Sequence, residues 1–393
     1  MKRVRRLVIT MWQPLLFYSL AAAVLLVLLG YQLGKLPTHA SADEIQAISA
    51  AHSWRALLNN PLYAPHKLMV IILQKAGFKS LAALRVVSTV WALLILGLFF
   101  STLRHWFTKR IAVIGTLLLA SSTWFLIAAR SATPEIMQGS LVALLAVGGW
   151  LRYSRARIVP LLCGVALTAV LCYIPGMIWF VLAAAIWQRR TLRTALNETP
   201  AATTVIAALL WFGMLTPLLY ALVRSPRLLQ TLVGLPLQLS AWSQLGRNVL
   251  NVPLALFVRA PLNPAHWLGH LPLLDAFASA MFLLGLYSFF YRRQLDRAKV
   301  LTGMGVMVTL LIALGGGITL TMLLPAVYIL VAAGVNLMLQ QWLTVFPRNP
   351  LARSLGTLLL VLAVFASGFY QLNRYFQAWQ HAPATKQAYN RTL

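Results

Sequence analysis

Four stretches decide what this chain can fold into: Val8–Leu29, Leu81–Leu103, Ala202–Val223 and Thr319–Leu339. Across all of them Arg85 is the single charged side chain. At about 1.5 Å per helical residue, each is long enough to cross a hydrocarbon core of roughly 30 Å. Inside lipid a backbone must satisfy its own N–H and C=O groups, so such runs fold as helices or as strands of a closed barrel. The alternating pattern of barrel strands is absent, and 60% of the chain is hydrophobic with 10% charged. The fold class is therefore an all-α polytopic membrane protein. The first run continues without a small-residue cleavage site and reads as a retained helix rather than a signal peptide.

A formal charge of +27 would point to nucleic acid in a soluble protein. Here the basic residues gather in short segments at 104–110, 152–157, 189–193 and 292–299, where the positive-inside rule predicts them, so no nucleic-acid partner is expected. With Met1–Arg6 also cytoplasmic, the charges and apolar runs predict about eleven spans. These are Val8–Leu29, Leu81–Leu103, Ile111–Ala128, a span from just after Pro134-Glu135 to Trp150, Ile158–Tyr173, Pro175–Trp187, Ala202–Val223, Leu273–Phe290, Val300–Leu314, Thr319–Leu339 and Ser354–Leu372. Residues 1–372 form one transmembrane domain, with a first external loop at 34–80 and a large external loop at 224–271. Residues 373–393 are a short external tail. Leu68–Leu73 is too short to span and reads as an interfacial helix that ends around Gly77.

The first external loop carries Asp43-Glu44, the one adjacent acidic pair among six acidic residues. It opens a helix-like segment, Asp43–Leu58, with Ser41 and Glu44 spaced as a capping box. This topology brings Asp43, Glu44, Glu135 and Asp275 to the external face and leaves Glu198 and Asp296 inside. A carboxylate there suits deprotonation of a hydroxyl or amine attacking an activated sugar. Asp43 also fits the first turn of a helix, and Glu44 fits the capping box as well as it fits catalysis. Glu135 could orient Arg130, or serve as an acid at the start of a span. External cations are supplied by His66, Lys67, Arg85, Arg130, Arg247 and Arg259. As a group they suit the phosphate of a prenyl lipid, whose leaving charge needs neutralising; each arginine alone also suits a lipid headgroup. Tyr63, Trp242, His266 and Trp267 lie in external loops, where they could pack on sugar or sit at the interface. No metal site or cofactor is predicted: Cys163 and Cys172 lie in an apolar run without a histidine cluster, and Gly315–Gly317 lacks the pattern of a phosphate loop.

The order of these elements resembles a known family. A span, an external Asp-Glu, interfacial helices, then PLYAPHK (Pro61–Lys67) and LQKAGFKSLAALRVVS (Leu73–Ser88) are similar to the start of membrane glycosyltransferases of the C-type (GT-C-like) fold. The resemblance is to the protein O-mannosyltransferase and aminoarabinose (lipid A) transferase group. It implies that Asp43 is the essential acid, that Lys67 binds the donor phosphate, and that Glu135, in AARSATPE, is the second acidic position. The stretch TLTMLLPAVY (Thr319–Tyr328) keeps Leu324-Pro325 but lacks the arginine usual before it. The resemblance implies transfer of one sugar from a polyprenyl-phosphate donor, with inversion, at the periplasmic face of a bacterial inner membrane. The acceptor would be lipid A, a lipopolysaccharide or O-antigen glycan, or protein. Charges that cluster at span ends, with no internal repeat, set this above two alternatives: a lipid-linked glycan transporter or flippase, and a non-catalytic subunit of an envelope glycan assembly.

Overall fold

The computed structural model describes residues 19, 21–35, 37–154, 158–236 and 242–391. The basic N-terminus, the first part of Val8–Leu29, and Arg155 and Arg157 lie outside the described residues. The helices in chain order begin with α1 (Ala21–Gly30). There follow α2 (Ala42–Ser49), α3 (Trp54–Asn59), α4 (Ala64–Lys75), α5 (Leu81–Trp106), α6 (Lys109–Ser121) and α7 (Thr123–Arg130). A 3-10 helix, Pro134–Leu141, leads into α8 (Val142–Tyr153), then α9 (Ile158–Leu171), α10 (Met177–Trp187), α11 (Arg189–Asn197), α12 (Ala201–Arg224) and α13 (Pro226–Val233). Next come α14 (Trp242–Phe257), α15 (Ala276–Tyr291), α16 (Asp296–Leu314), a 3-10 turn Leu320–Leu323, α17 (Leu324–Val345) and α18 (Pro350–Asn373). A π-helical turn, Arg374–Trp379, and α19 (Pro383–Ala388) close the chain.

Among the described residues there is no sheet, and six helices are long and apolar enough to cross a membrane. A seventh crossing is possible if α6 and α7 count as one span, although they meet at 64°. The chain is a polytopic helical membrane protein. Its outer helices present apolar side chains to the surroundings: Leu209, Phe212 and Val223 on α12, and Leu358, Phe365 and Phe369 on α18, are exposed. In water such faces would be a liability, whereas against lipid tails they cost nothing. The interior is built on α17, whose first half from Leu324 to Val335 is buried apart from Leu330.

α15 and α17 pack backbone to backbone. A Cβ on Gly285 would collide with the Leu330 carbonyl, and one on Gly334 with the Met281 carbonyl, so both helices need glycine at the crossing. Gly334→Leu should force the pair apart and destabilise the protein by about 1–3 kcal/mol or more. Its melting temperature in detergent should fall well below that of Gly303→Ala, since a Cβ at Gly303 meets no atom within 4 Å.

Three expectations change at this level. The span Ile111–Ala128 is broken at Ser122, which has extended backbone and caps α7 by accepting from the Phe125 N–H. The segment Asp43–Leu58 is two helices because Ser53 starts a new one, its hydroxyl accepting from the Ala56 N–H. The tail beyond residue 373 packs back on the protein: Ala40 and Arg391 form an antiparallel bridge, and Tyr375, Trp379 and Tyr389 are buried.

Candidate functional site

Asp43 and Glu44 are neighbours with opposite surroundings. Ser41 caps α2, accepting from the Glu44 N–H, and the Glu44 carboxylate accepts from the Ser41 N–H in return. That reciprocal box turns the Glu44 side chain inward, where it is wholly buried. There it meets Arg85 on α5, with Nε to Oε1 and Nη2 to Oε2 both at 2.9 Å. Its Oε1 also accepts from the Ala132 N–H at 2.7 Å. The remaining donors of Arg85 reach the carbonyls of Leu33, Pro37 and His39. All five N–H groups are therefore taken, and the ion pair fastens the first loop to α5 and to the segment after α7.

Arg130 is used in the same way. Its guanidinium donates to Tyr375 Oη and to the carbonyls of Leu28, Leu29 and Tyr31, and it lies 5.3 Å from the Tyr375 ring centroid. It makes no pair with Glu135. Arg85 and Arg130 were both expected to hold a donor phosphate; buried and engaged with protein oxygens, they brace the scaffold instead.

Asp43, one residue earlier on the helix, points the other way. Its side chain is 52% exposed, and Oδ2 lies 3.3 Å from His266 Nε2. The other ring nitrogen of His266, Nδ1, lies 3.2 Å from Glu135 Oε2. With a carboxylate at each nitrogen, the imidazole is held as the cation that donates to both. Burial opposes that charge, but the carboxylates of Glu135 and Asp43 outweigh burial and raise the His266 pKa to about 10. The hydrogen bond from His266 in turn holds Asp43 below its usual range. The Glu135 side chain is only 12% exposed, so Asp43 is the acid a substrate can reach.

The cluster continues inward. Thr321 Oγ1 donates to Glu135 Oε1 at 2.7 Å. The amide of Gln138 accepts from Thr319 N–H and hydroxyl and donates to Tyr63 Oη at 2.8 Å. Tyr63 occupies the left-handed region, φ +57°, directly before α4, where its N–H donates to the Tyr173 carbonyl. One turn along α4, Lys67 Nζ donates to the Asn60 carbonyl at 2.8 Å, leaving two ammonium protons without a protein acceptor among the described residues. Burial pushes its pKa down to about 8. His66 lies beside it but faces inward: Ser88 Oγ donates to the Thr133 carbonyl, so the Nε2 of His66 must donate to Ser88. Burial, followed by the nearby Lys67 charge, takes His66 down to about 3, which makes it a neutral structural donor and no phosphate ligand.

His266 owes its position to the C-terminal segment. Asn263 starts a turn in which the His266 and Trp267 N–H groups donate to its carbonyl. Trp379 Nε1 donates to the Pro264 carbonyl and Tyr389 Oη to the Ala265 carbonyl, and both rings are buried under the turn. Trp267, expected to pack on sugar or sit at the interface, is buried with its ring against Trp124 at 6.4 Å. Trp242, Arg247 and Arg259 are exposed, and none is hydrogen-bonded to the acidic cluster among the described residues. Asp275 stands apart: it caps α15 and accepts from Ser367 and Gln371. Thr319, Thr321 and Gln138 were not foreseen. The one sign in the sequence is a pair of hydroxyl residues two apart where an apolar run begins.

An apolar cleft of about 460 Å³ opens between α14, α15, α16 and α17. Val249 and Leu256 of the large loop are on its lining, as is Leu323, two residues past Thr321. Among the described residues no group of three or more His, Cys, Asp and Glu has the arrangement of a metal site.

No family model matches the chain, and no curated protein matches it. Two solved structures do, both of ArnT from Cupriavidus metallidurans. The apo form aligns over 97% of this chain and 78% of ArnT, with 14% identity and a TM-score of 0.53. The form bound to undecaprenyl phosphate aligns over 95% and 76%, with 12% identity and a TM-score of 0.56. The chain shares the ArnT fold. At this identity the likeness is one of architecture, and it runs the length of the chain.

Proposed function

We propose that this protein transfers a single sugar from a polyprenyl-phosphate donor to an acceptor at the external face of the membrane. The observation that carries the reading is a half-exposed Asp43, held ionised by His266, at the rim of a membrane-embedded helix bundle. The ArnT fold, in which one solved form holds undecaprenyl phosphate, adds the lipid class.

In this mechanism the Asp43 carboxylate orients an acceptor hydroxyl or amine. Because its basicity is depressed, it takes the proton only as the acceptor's bond to the anomeric carbon forms. The anomeric carbon–oxygen bond breaks on the opposite side, its electron pair leaves with the lipid phosphate, and direct displacement inverts the anomeric centre. Lys67 neutralises the departing phosphate. Glu135 and His266 hold the carboxylate in place, Tyr63 borders the sugar, and the prenyl tail lies in the cleft walled by α14. The four shorter apolar helices, counted with the six long ones and the bent pair, would give the eleven spans. The N-terminus would then be cytoplasmic and the site would face the periplasm of a bacterial inner membrane, with lipid A, a lipopolysaccharide glycan or protein as acceptor.

The test is reconstitution: protein in vesicles with a polyprenyl-phosphate-linked sugar and an envelope extract as acceptor. Release of free lipid phosphate with equimolar sugar on the acceptor is expected, and intact donor after prolonged incubation would refute the proposal. The Lys67 role adds a pH signature. Its ammonium is charged below about pH 8 and neutral above, so kcat/KM for the donor should fall as pH passes through that value, and kcat with it, because the charge is needed as the phosphate departs. Lys67→Met should show a low kcat/KM at every pH, whereas Lys67→Arg, which stays charged, should lose the fall.

A further inference from the structure

The opposite end of the bundle carries a second cleft that the proposed chemistry does not use. α5 runs from Arg85, beneath the acidic cluster, to His105, a separation of about 30 Å at 1.5 Å per residue. α8 likewise leads away from Glu135 to Arg152, and α16 leads from Arg297 back towards Thr319. Three chain passes thus place His105, Arg152 and Arg297 together at the far end, where they line a cavity of about 340 Å³. One acid, Asp296, accompanies them. His105 Nδ1 is committed to the Ser101 carbonyl and its ring stacks on Tyr153, 5.5 Å between centroids. Arg297 spends one donor on the Trp106 carbonyl, which fixes the guanidinium at the cavity wall.

This cavity is not closed. It shares Leu145, Trp187, Gln188 and Val300 with an apolar groove of about 300 Å³ between α8, α10 and α16. The groove continues towards mid-bundle along Phe180, Met304 and Met307, with Lys299 also on its wall. A cationic mouth joined to an apolar channel open to the side of a membrane protein has the polarity of one kind of ligand.

We infer that this cleft binds an anionic phospholipid, its phosphate on Arg152 and Arg297 and one acyl chain in the groove of Phe180, Met304 and Met307. Charge complementarity selects the headgroup: three cationic or titratable nitrogen side chains and Lys299 face a single carboxylate. Guanidinium groups suit phosphate because they donate in pairs. The groove selects a lipid over a soluble phosphate, since only a chain would desolvate its walls. The site lies too far from Asp43 to take part in transfer, so it stands whether or not the sugar-transfer reading does.

Native mass spectrometry of the delipidated full chain in detergent tests this. Phosphatidylglycerol and phosphatidylcholine with the same chains are offered in competition, and glycerol phosphate is offered separately. Phosphatidylglycerol should be retained about tenfold or more over phosphatidylcholine, with no glycerol phosphate bound. Arg152→Gln, an exposed position, and the double variant with Arg297→Gln should bring it towards the phosphatidylcholine level. Gly303→Leu, whose new side chain enters the open groove without meeting another atom within 4 Å at Cβ, should reduce retention of both lipids. Equal retention of the two lipids, binding of glycerol phosphate as tight as the lipid's, or adducts unchanged in these variants would each overturn the inference.

Discussion

Asp43→Asn is expected to lower turnover by about 10²- to 10⁴-fold while leaving the melting temperature of the protein unchanged. The amide keeps the shape of the carboxylate, and its oxygen still accepts from His266 Nε2. What it loses is charge, and with it the capacity to take a proton from the acceptor. Asp43 is half-exposed and its one hydrogen-bonding partner outside its own helix is His266, so the fold makes little demand on it. Steady-state rates with a polyprenyl-phosphate-linked sugar, paired with thermal unfolding in detergent, separate the two effects. A variant within threefold of the parent rate would remove Asp43 from the mechanism.

Arg85→Met should do the reverse and compromise the fold. It would leave the Glu44 carboxylate buried without its counter-ion and the carbonyls of Leu33, Pro37 and His39 without their donor. Breaking a buried, hydrogen-bonded ion pair from one side costs about 3–5 kcal/mol. The variant should melt much lower in detergent and accumulate poorly in membranes. Adding Glu44→Gln removes the stranded charge and should recover part of the loss, a coupling that a double-mutant cycle reads directly. An Arg85→Met protein as stable as its parent would mean that the pair is not what fastens the first loop.

These two outcomes separate adjacent acids that the sequence presents as a unit. The capping-box spacing of Ser41 and Glu44 was legible, and it contained the answer: a glutamate that caps its own helix is turned away from the face on which Asp43 stands. What could not be read was the partner, because Arg85 is forty-one residues further on and looks the same in sequence as an arginine that meets lipid. Arg130 misled for the same reason. Three of its donors go to backbone carbonyls and one to the Tyr375 hydroxyl, and carbonyl partners leave no trace in side-chain chemistry.

The helical class and most apolar segments were legible because hydrophobic run length alone sets them. The breaks expected after Tyr173 and after Leu314 are turns, with Gly176 and Gly315 in the left-handed conformation. The bend at Ser122 was not visible, since a serine inside an apolar run is compatible with a continuous helix until its hydroxyl caps a new one. His266 reads in the sequence as a loop residue that could pack on sugar or sit at the interface. Its bridging of Asp43 and Glu135 depends on the turn at Asn263 and on Trp379 and Tyr389 beneath it, contacts spanning more than a hundred residues. The aromatics Trp379 and Tyr389 of residues 373–391 are what hold that turn.

The central claim is that Asp43 serves covalent sugar transfer from a lipid donor. It is tested most directly by mass spectrometry of envelope lipids and glycans from cells with the gene, without it, and with Asp43→Asn in its place. The account predicts an acceptor mass increment of one sugar that is present in the first and missing from both others, with the Asp43→Asn protein at normal abundance in the membrane. Identical glycan masses in all three, with lipid-linked precursor accumulating on the cytoplasmic side of the deletion strain, would contradict it and make the protein a transporter.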